Sequence, residues 1–411
     1  MIMFRDVFGD NTSVASLPYG NRWALHRKLL YHSLKGPALP ASKPRQEAEA
    51  LALTTSIVNE SNDWSQGLDR CASSVVFSMA YGRRIASLDS NLLKTRQEFF
   101  RYVSDLLKPG AYLVEMFGFL LQLPSFLTRW KDPVLQMGRD QAAFDISLVN
   151  TTMLQLKAEV DSDANALSEA HFAAVPASLF GAGSYATAST LHFVVLGLLT
   201  QPDMQKLAQA ELDAIVGNDR SLTYADQAEV PFIDAIIKEV LRWRPSAVFG
   251  MPHATSETDV YKSYHFQKGT VVWASSWGVN QNPGFFPSPQ TIALNRSLDT
   301  SDPRYDANVA AKPFPGGSHD HATFGFGRRA CAGAELATNK FFIVIAKLLW
   351  SFDIKPIEGE IYDIDAFTGG LVLRPAPFKC RFVIRDEGRR LVLEREMKEA
   401  EEVLPLFPAF D

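Results

Sequence analysis

One cysteine of the 411-residue chain, Cys331, lies where a glycine-containing loop meets the predicted start of a helix. The stretch reads Phe-Gly-Phe-Gly-Arg-Arg-Ala-Cys-Ala-Gly over residues 324–333. A thiolate at a helix N-terminus faces unpaired backbone N–H groups and the positive end of the helix dipole, which lower the pKa of the thiol. The loop glycines also let the backbone approach a flat ring closely. The pattern therefore predicts a reactive thiolate that ligates a metal.

Two other interpretations of this stretch are open. Cys331 could be a buried free cysteine, the usual state of cysteine in a reducing compartment. The spacing Gly325-x-Gly327-x-x-Ala330 also matches part of a dinucleotide-binding loop, but no apolar strand precedes it. The three cysteines of the chain are far apart, without Cys-x-x-Cys spacing, which suits neither a disulfide framework nor a structural zinc site.

The full spacing Phe-x-x-Gly-x-Arg-x-Cys-x-Gly resembles the haem-binding signature of the cytochrome P450 family. The match holds at every defined position, namely Phe324, Gly327, Arg329, Cys331 and Gly333. The resemblance implies that haem b is the cofactor and that Cys331 is the axial ligand of its iron. Arg329 offers the bidentate geometry that pairs with a carboxylate such as a haem propionate.

Further family landmarks follow in the expected order. Trp23 and Arg27 are similar to the family's Trp-x-x-x-Arg helix, which places both side chains on one face for a haem propionate. His253 lies where the family has a residue that reaches the other propionate. The resemblance also assigns Ala182 and Gly183, on a long predicted helix, to the haem.

A second family pattern has a structural meaning. Glu239-Val-Leu-Arg242 resembles the Glu-x-x-Arg pair of the family, and Arg296 lies at the place of the third partner. Taken alone, Glu239 and Arg242 form an i, i+3 helix pair worth a few tenths of a kcal/mol. With the cysteine loop, the pattern predicts a buried network that supports the ligand loop.

The long helix departs from the family where an acid and a threonine normally guide protons to bound dioxygen. Tyr185 replaces the acid and Ala186 replaces the threonine. A phenol with a pKa near ~10 donates less readily than an acid, and alanine cannot donate. The hydroxyl of Thr187 is rotated by about 100° around the helix from position 186, where the family has its threonine. Tyr185 and Thr187 remain the catalytic candidates here, unless substrate hydroxyls or ordered water supply the protons.

The elements around these motifs predict a mainly α fold with small β-sheets. One domain is expected over residues 1–411, because no repeat, linker or compositional break divides the chain. The family's N-terminal anchor, first helix and strands are expected to be incomplete. The predicted helices and strands are Ser168–Thr200, Pro202–Gly217, Pro231–Trp243, Gly333–Trp350, short strands within Val248–Trp277, Leu371–Leu373 and Cys380–Ile384.

The composition of the chain limits the classes of partner that it could bind. The net charge of −5 and the scattered Lys and Arg argue against nucleic-acid binding. The longest apolar stretches fall short of the ~20 residues that cross a bilayer, so no transmembrane span is predicted. The resemblance implies an NADPH-cytochrome P450 reductase as electron donor, with NADPH acting indirectly through it, and peripheral contact with the membrane. It also implies the cytosolic face of the endoplasmic reticulum, or the cytosol for a natural short form.

The resemblance is closest to fungal microsomal P450s of natural-product metabolism. It predicts an iron-dependent monooxygenase acting on a small hydrophobic, terpenoid or polyketide-like product of secondary metabolism. An isomerase, cyclase or peroxide-dependent haem-thiolate enzyme is the first alternative, and an inactive haem-binding relic is the second. The family positions that suggest the substrate pocket are the Met1–Ser16 loop, Phe180, Val248, Phe249, Phe367 and Thr368.

Overall fold

The protein is mainly helical, as the sequence predicts. The computed structural model describes residues 3–8, 12–59, 64–108, 110–115, 117–152, 167–312 and 321–410, without the side chains of residues 3–5 and 125. Parts of the predicted Met1–Ser16 pocket loop, residues 1–2 and 9–11, therefore lie outside the described residues. The helices are α1 Asn21–Leu34, α2 Ala38–Ala41, α3 Lys43–Asn59, α4 Trp64–Tyr81, α5 Asn91–Leu106, α6 Asp132–Thr152, α7 Glu169–Thr200, α8 Pro202–Ile215, α9 Pro231–Trp243, α10 Ser276–Asn280, α11 Ala334–Ser351 and α12 Glu387–Val403.

The 32-residue helix α7 is the central element of the core. The Ser168 side chain caps it by accepting a hydrogen bond from the backbone N–H of His171, so the predicted start is confirmed. By length and composition α7 could span a membrane, but 78% of its most apolar window is buried inside the protein. Such burial is typical of a core helix that is apolar on all sides.

Proline sets the start of two helices that pack on α7. Pro202 and Pro231 are the first residues of α8 and α9, where a missing backbone N–H costs nothing. The predicted span Pro231–Trp243 is confirmed, and α11 begins and ends within one residue of its predicted bounds.

Eight short strands form four two-stranded antiparallel sheets in the described part of the chain. The pairs are β1 His253–Ala254 with β4 Val271–Val272, β2 Asp259–Tyr261 with β3 Tyr264–Phe266, β5 Phe352–Pro356 with β8 Cys380–Ile384, and β6 Phe367–Thr368 with β7 Arg374–Pro375. The strand Cys380–Ile384 is confirmed. The strand predicted at Leu371–Leu373 is wrong, because these residues form the turn between β6 and β7.

Two apolar clusters account for most of the core. The first runs from α3 through α7, α9 and α11 to α12. The second joins α1, α4, α5 and the first half of α7, with Leu336 of α11 at its edge. Helix α11, which follows the cysteine loop, therefore contributes to both clusters and fixes that loop against the core.

Candidate functional site

The thiolate loop, residues 324–333, turns sharply before α11. Gly325 and Gly327 have φ values of 71° and 60°, a region in which a side chain is strained. The backbone N–H of Cys331 donates to the carbonyl of Phe324 over 2.8 Å, which closes the loop. Gly333 caps the N-terminus of α11. A local turn thus places the sulfur at the start of a helix.

The Cys331 side chain is exposed, although protein surrounds the sulfur on its other sides. Burial raises the pKa of the Cys331 thiol, while the N–H of Gly333 and the Arg27 guanidinium lower it by a smaller amount. The prediction of a lowered pKa is therefore wrong for the free thiol, because desolvation outweighs the helix N-terminus. A bound metal ion would hold the sulfur as a thiolate despite this burial.

Two arginines flank the sulfur. Arg27 donates from Nη2 to the carbonyl of Ala330 over 2.9 Å and also to the Tyr31 hydroxyl. Arg329 donates to the carbonyl of Leu17 over 2.8 Å, and its guanidinium lies 4.6 Å from the centre of the buried Trp23 ring. Burial and then the charge of Arg27 lower the pKa of Arg329. The loop is thus a cationic site built from α1 and the residues before α11.

A buried asparagine that the sequence did not single out anchors the start of the thiolate loop. Asn280, at the end of α10, accepts from the N–H of Ala322 over 2.7 Å and donates to the Thr323 hydroxyl over 3.1 Å. Thr323 in turn donates to the carbonyl of Leu241 in α9 over 2.6 Å. These bonds tie the loop to α9 and α10.

The predicted network lies directly behind this anchor. Glu239 accepts from Arg242 through both carboxylate oxygens at 2.8 Å, and from Arg296 at 3.2 Å. All three side chains are buried. Arg242 also donates to the carbonyl of Asn280 over 3.1 Å, which connects the ion pairs to the loop anchor. Burial lowers the pKa of Arg296, and Glu239 opposes this effect.

Only part of the predicted functional stretch of α7, residues 182–187, faces open space. Ala182 is exposed and Ala186 is half-buried one turn later, so α7 presents a small-residue face there. Gly183 lies elsewhere on the helix, because a Cβ at this position would be 2.7 Å from Val76 of α4. Its assignment to the cofactor is corrected to close helix packing. Thr187 is only 3% exposed, so its hydroxyl does not face an open site and its catalytic assignment is corrected too.

Tyr185 lies about 60° around α7 from Ala182. Its ring stacks on Phe100 with centroids 4.1 Å apart, and the Arg374 guanidinium lies 5.7 Å from the ring centre. There it lines the polar cavity, a space of about 460 Å³ enclosed by α4, α5, α7 and residues 368–378. Thr368 lines the same cavity.

The five individually named pocket residues do not share one pocket. Phe180 is fully buried, packed on Phe77 and Tyr81, so its assignment to the pocket lining is wrong. An apolar helix can bury this face as easily as expose it. The other residues divide as follows: Val248 and Phe367 are half-buried, Phe249 is exposed beside Trp273, and Thr368 borders the polar cavity.

The structure leaves His253 apart from the thiolate loop. It lies exposed on β1, opposite Val272 of β4. Among the described residues, no hydrogen bond or ion pair involves its side chain. A propionate contact of His253 stays a prediction.

The residues around Cys331 fit a haem group. At Gly325, Gly327 and Gly333, no atom of the described residues beyond the two chain neighbours lies within 4 Å of the position that a Cβ would take, so a flat ring can approach the backbone. In the described part of the chain, neither Arg27 nor Arg329 has a carboxylate partner. Two adjacent cations beside an accessible thiol suit a ligand that carries carboxylates around a metal centre.

Comparison with known proteins agrees with this geometry. The family model for cytochrome P450 matches residues 4–382. A cytochrome P450 monooxygenase of Postia placenta is 33% identical, over 93% of this chain and 75% of the relative. Another from Armillaria gallica is 30% identical, over 96% and 78%, and one from Aspergillus calidoustus is 31% identical, over 97% and 75%.

A solved structure of a zebra fish cytochrome P450 with abiraterone has the same fold. The TM-score is 0.72 at 20% identity, covering 94% of this chain and 87% of that one. The resemblance found in the sequence is confirmed, and a haem-iron cofactor follows from the family. The chain belongs to the cytochrome P450 family of oxidoreductases.

Proposed function

We propose that this protein is a haem-thiolate monooxygenase that oxidises a small hydrophobic natural product, using dioxygen and electrons from NADPH-cytochrome P450 reductase. The observation that carries the proposal is the accessible Cys331 sulfur, held between the glycine-containing loop and α11 with Arg27 and Arg329 beside it. The monooxygenase names of the fungal relatives support the reaction class.

The cofactor proposed is haem b, which would supply the iron that activates dioxygen. Cys331 would be its axial ligand, while the guanidinium groups of Arg27 and Arg329 would bind the propionates. Trp23 holds Arg329 by a cation–π contact of 4.6 Å. Ala182 and Ala186 of α7 would leave room for a bound group, because neither has a side chain beyond Cβ.

Two observations support the reductase as the electron donor: the family to which the chain belongs, and the charge of the surface near Cys331. Three exposed cations lie on or next to the elements that surround Cys331: Arg22 of α1, Lys35 directly after α1, and Arg328 of the thiolate loop. Exposed cations favour association with an acidic partner surface. Residues 1–411 are proposed to act as one domain, since the first core cluster joins residues from α3 to α12.

The alternative is a haem-thiolate enzyme that does not cleave dioxygen, such as an isomerase, cyclase or peroxide-dependent catalyst. It is favoured by one observation: α7 contains no carboxylate after Glu169, and Ala186 provides no hydroxyl. A monooxygenase with this helix must take its protons from ordered water or from the substrate.

The double variant Tyr185→Asp/Ala186→Thr separates the two functions. In a monooxygenase, restoring an acid and a hydroxyl is expected to raise the rate of product formation by at least about tenfold, given the usual size of acid–base catalysis. Turnover of terpenoid and polyketide candidates is measured with reductase, NADPH and dioxygen, and again without each. The single variant Ala186→Thr is the control for the hydroxyl alone.

The opposite outcome would favour the alternative. Turnover by the native protein without reductase and NADPH, abolished in the double variant, means that Tyr185 and Ala186 serve a reaction without dioxygen cleavage. An absence of turnover with every candidate would support an inactive relic.

The cytosolic face of the endoplasmic reticulum is the proposed location, and the segment between α5 and α6 is the proposed membrane contact. Five large apolar side chains there are 48–70% exposed: Leu113, Phe117, Phe119, Phe126 and Leu127. A patch of this kind is unusual on a surface that meets only water.

Replacing Phe119 and Phe126 by serine together tests this contact. Each buried phenylalanine contributes about 1.5–3 kcal/mol, so the double variant should bind phosphatidylcholine vesicles at least about tenfold more weakly. Co-sedimentation is the measurement, and Leu391→Ser, an exposed leucine of α12, is the matched control. Equal losses in both proteins would argue against this patch.

A further inference from the structure

The polar cavity lies apart from the thiolate loop. It is bounded by the first turn of α4, by α5, by Tyr185 and His192 of α7, and by residues 368–378. None of the described residues that line it belongs to residues 324–333. Its volume of about 460 Å³ falls within the range of small-molecule sites, about 300–1,000 Å³.

Part of the cavity wall is a preformed hydrogen-bond network. One nitrogen of Arg374, Nη2, donates to Asp69 over 3.0 Å and to Nε2 of His192 over 2.9 Å. Ser65 lies 2.8 Å from the same Nε2, and His192 Nδ1 donates to the carbonyl of Ala188 over 2.7 Å. Because Nε2 accepts, His192 is neutral. Burial, and then Arg374, lower the pKa of His192 to about 4.

The charges of the lining do not cancel. Among the described residues that line the cavity, Asp69 is the one carboxylate, and Arg374 is paired with it. Arg101 of α5 also lines the cavity, and in the described part of the chain it has neither a carboxylate nor a hydrogen-bond partner. The described lining therefore carries one cation, Arg101, without a counter-charge. Arg101 is exposed, so solvent screens part of its charge, but no carboxylate among the described lining residues offsets that charge, and its guanidinium can pair with an anion in the cavity.

The remaining lining is flat and apolar. The rings of Trp64, Tyr185 and Phe378 face the cavity together with Pro375 and Pro377. Tyr185 is held in place by its stacking on the neighbouring helix, as described above. Aromatic and proline surfaces favour a planar apolar body, because ring stacking adds to the area that is buried.

We propose that the polar cavity is a second small-molecule site, which binds a flat organic anion such as an aromatic carboxylate. Its carboxylate lies at Arg101 and the accessible edge of Arg374, and its ring lies among Trp64, Tyr185 and Phe378. None of these groups belongs to residues 324–333, so binding at this site does not require the thiolate loop, although Tyr185 is also a catalytic candidate of the proposed oxidation.

Binding of 2-naphthoate to the purified full chain tests the site by isothermal titration calorimetry. The native protein and the control Arg139→Gln, an exposed arginine on α6, should bind it alike. Arg101→Gln should weaken binding by about tenfold or more, since a charge-assisted hydrogen bond is lost. The neutral analogue 2-naphthalenemethanol should bind the native protein as weakly as 2-naphthoate binds Arg101→Gln.

A pair of space-filling variants locates the ligand. Gln97→Trp places a large ring in the polar cavity and should abolish 2-naphthoate binding, whereas Ala182→Trp fills the small-residue face of α7 and should leave it unchanged. The proposal is overturned if Ala182→Trp alone abolishes binding, or if Arg101→Gln binds like the native protein. Calorimetry reads the binding with or without haem, so failure of the proposed oxidation leaves this test intact.

Discussion

Cys331→Ser is expected to abolish the thiolate signature of the haem protein. Serine keeps the size of the side chain but replaces a soft, readily ionised sulfur by a hydroxyl that remains protonated near neutral pH. The loop geometry should survive, because the bond from the Cys331 N–H to the Phe324 carbonyl involves only backbone. The measurements are haem content per chain and the spectrum of the ferrous carbon monoxide complex.

The chain supplies its own control for this change. Cys380 is buried on β8 inside the first apolar cluster, so a haem group cannot reach its sulfur. Cys380→Ala should therefore retain the thiolate spectrum. A Cys331→Ser protein that keeps this spectrum, or a Cys380→Ala protein that loses it, would contradict the assignment of the ligand.

Features that depend on neighbouring residues could be predicted from the sequence. Pro202 and Pro231 begin helices because of their own ring geometry, and the thiolate loop and the Glu239–Arg242 pair are local patterns. The same reasoning failed for the pKa of Cys331. A helix N-terminus is visible in the sequence, whereas the protein packed around the sulfur is not, and that burial decides the direction.

Features assembled from distant segments could not be predicted. Asp69 and Arg374 meet across 305 positions of the chain, and Arg374 and His192 across 182. Each residue alone resembles an ordinary surface charge or a core histidine. Helix α7 is apolar all round, so its periodicity does not show that Phe180 faces the core and Ala182 faces open space.

Glu239→Ala is expected to cause the largest loss of stability. The change leaves Arg242 and Arg296, which are 1% and 3% exposed, without their counter-charge. Removing one partner of a buried ion pair costs about 3–5 kcal/mol, out of a total stability of about 5–15 kcal/mol. Urea unfolding followed by tryptophan fluorescence measures the loss. Asp203→Ala, which breaks an exposed pair with Lys206, is the control and should unfold like the native protein.

The same variant also tests how the network supports the thiolate loop. Glu239 orients Arg242, whose bond to the Asn280 carbonyl holds the residue that anchors Ala322 and Thr323. Haem should therefore leave Glu239→Ala at urea concentrations below its unfolding midpoint. Glu239→Gln keeps one acceptor oxygen without the charge, and its haem retention should lie between that of Glu239→Ala and that of the native protein. If Glu239→Ala unfolds and releases haem as Asp203→Ala does, the backbone carbonyls around Arg242 and Arg296 suffice to satisfy both guanidinium groups.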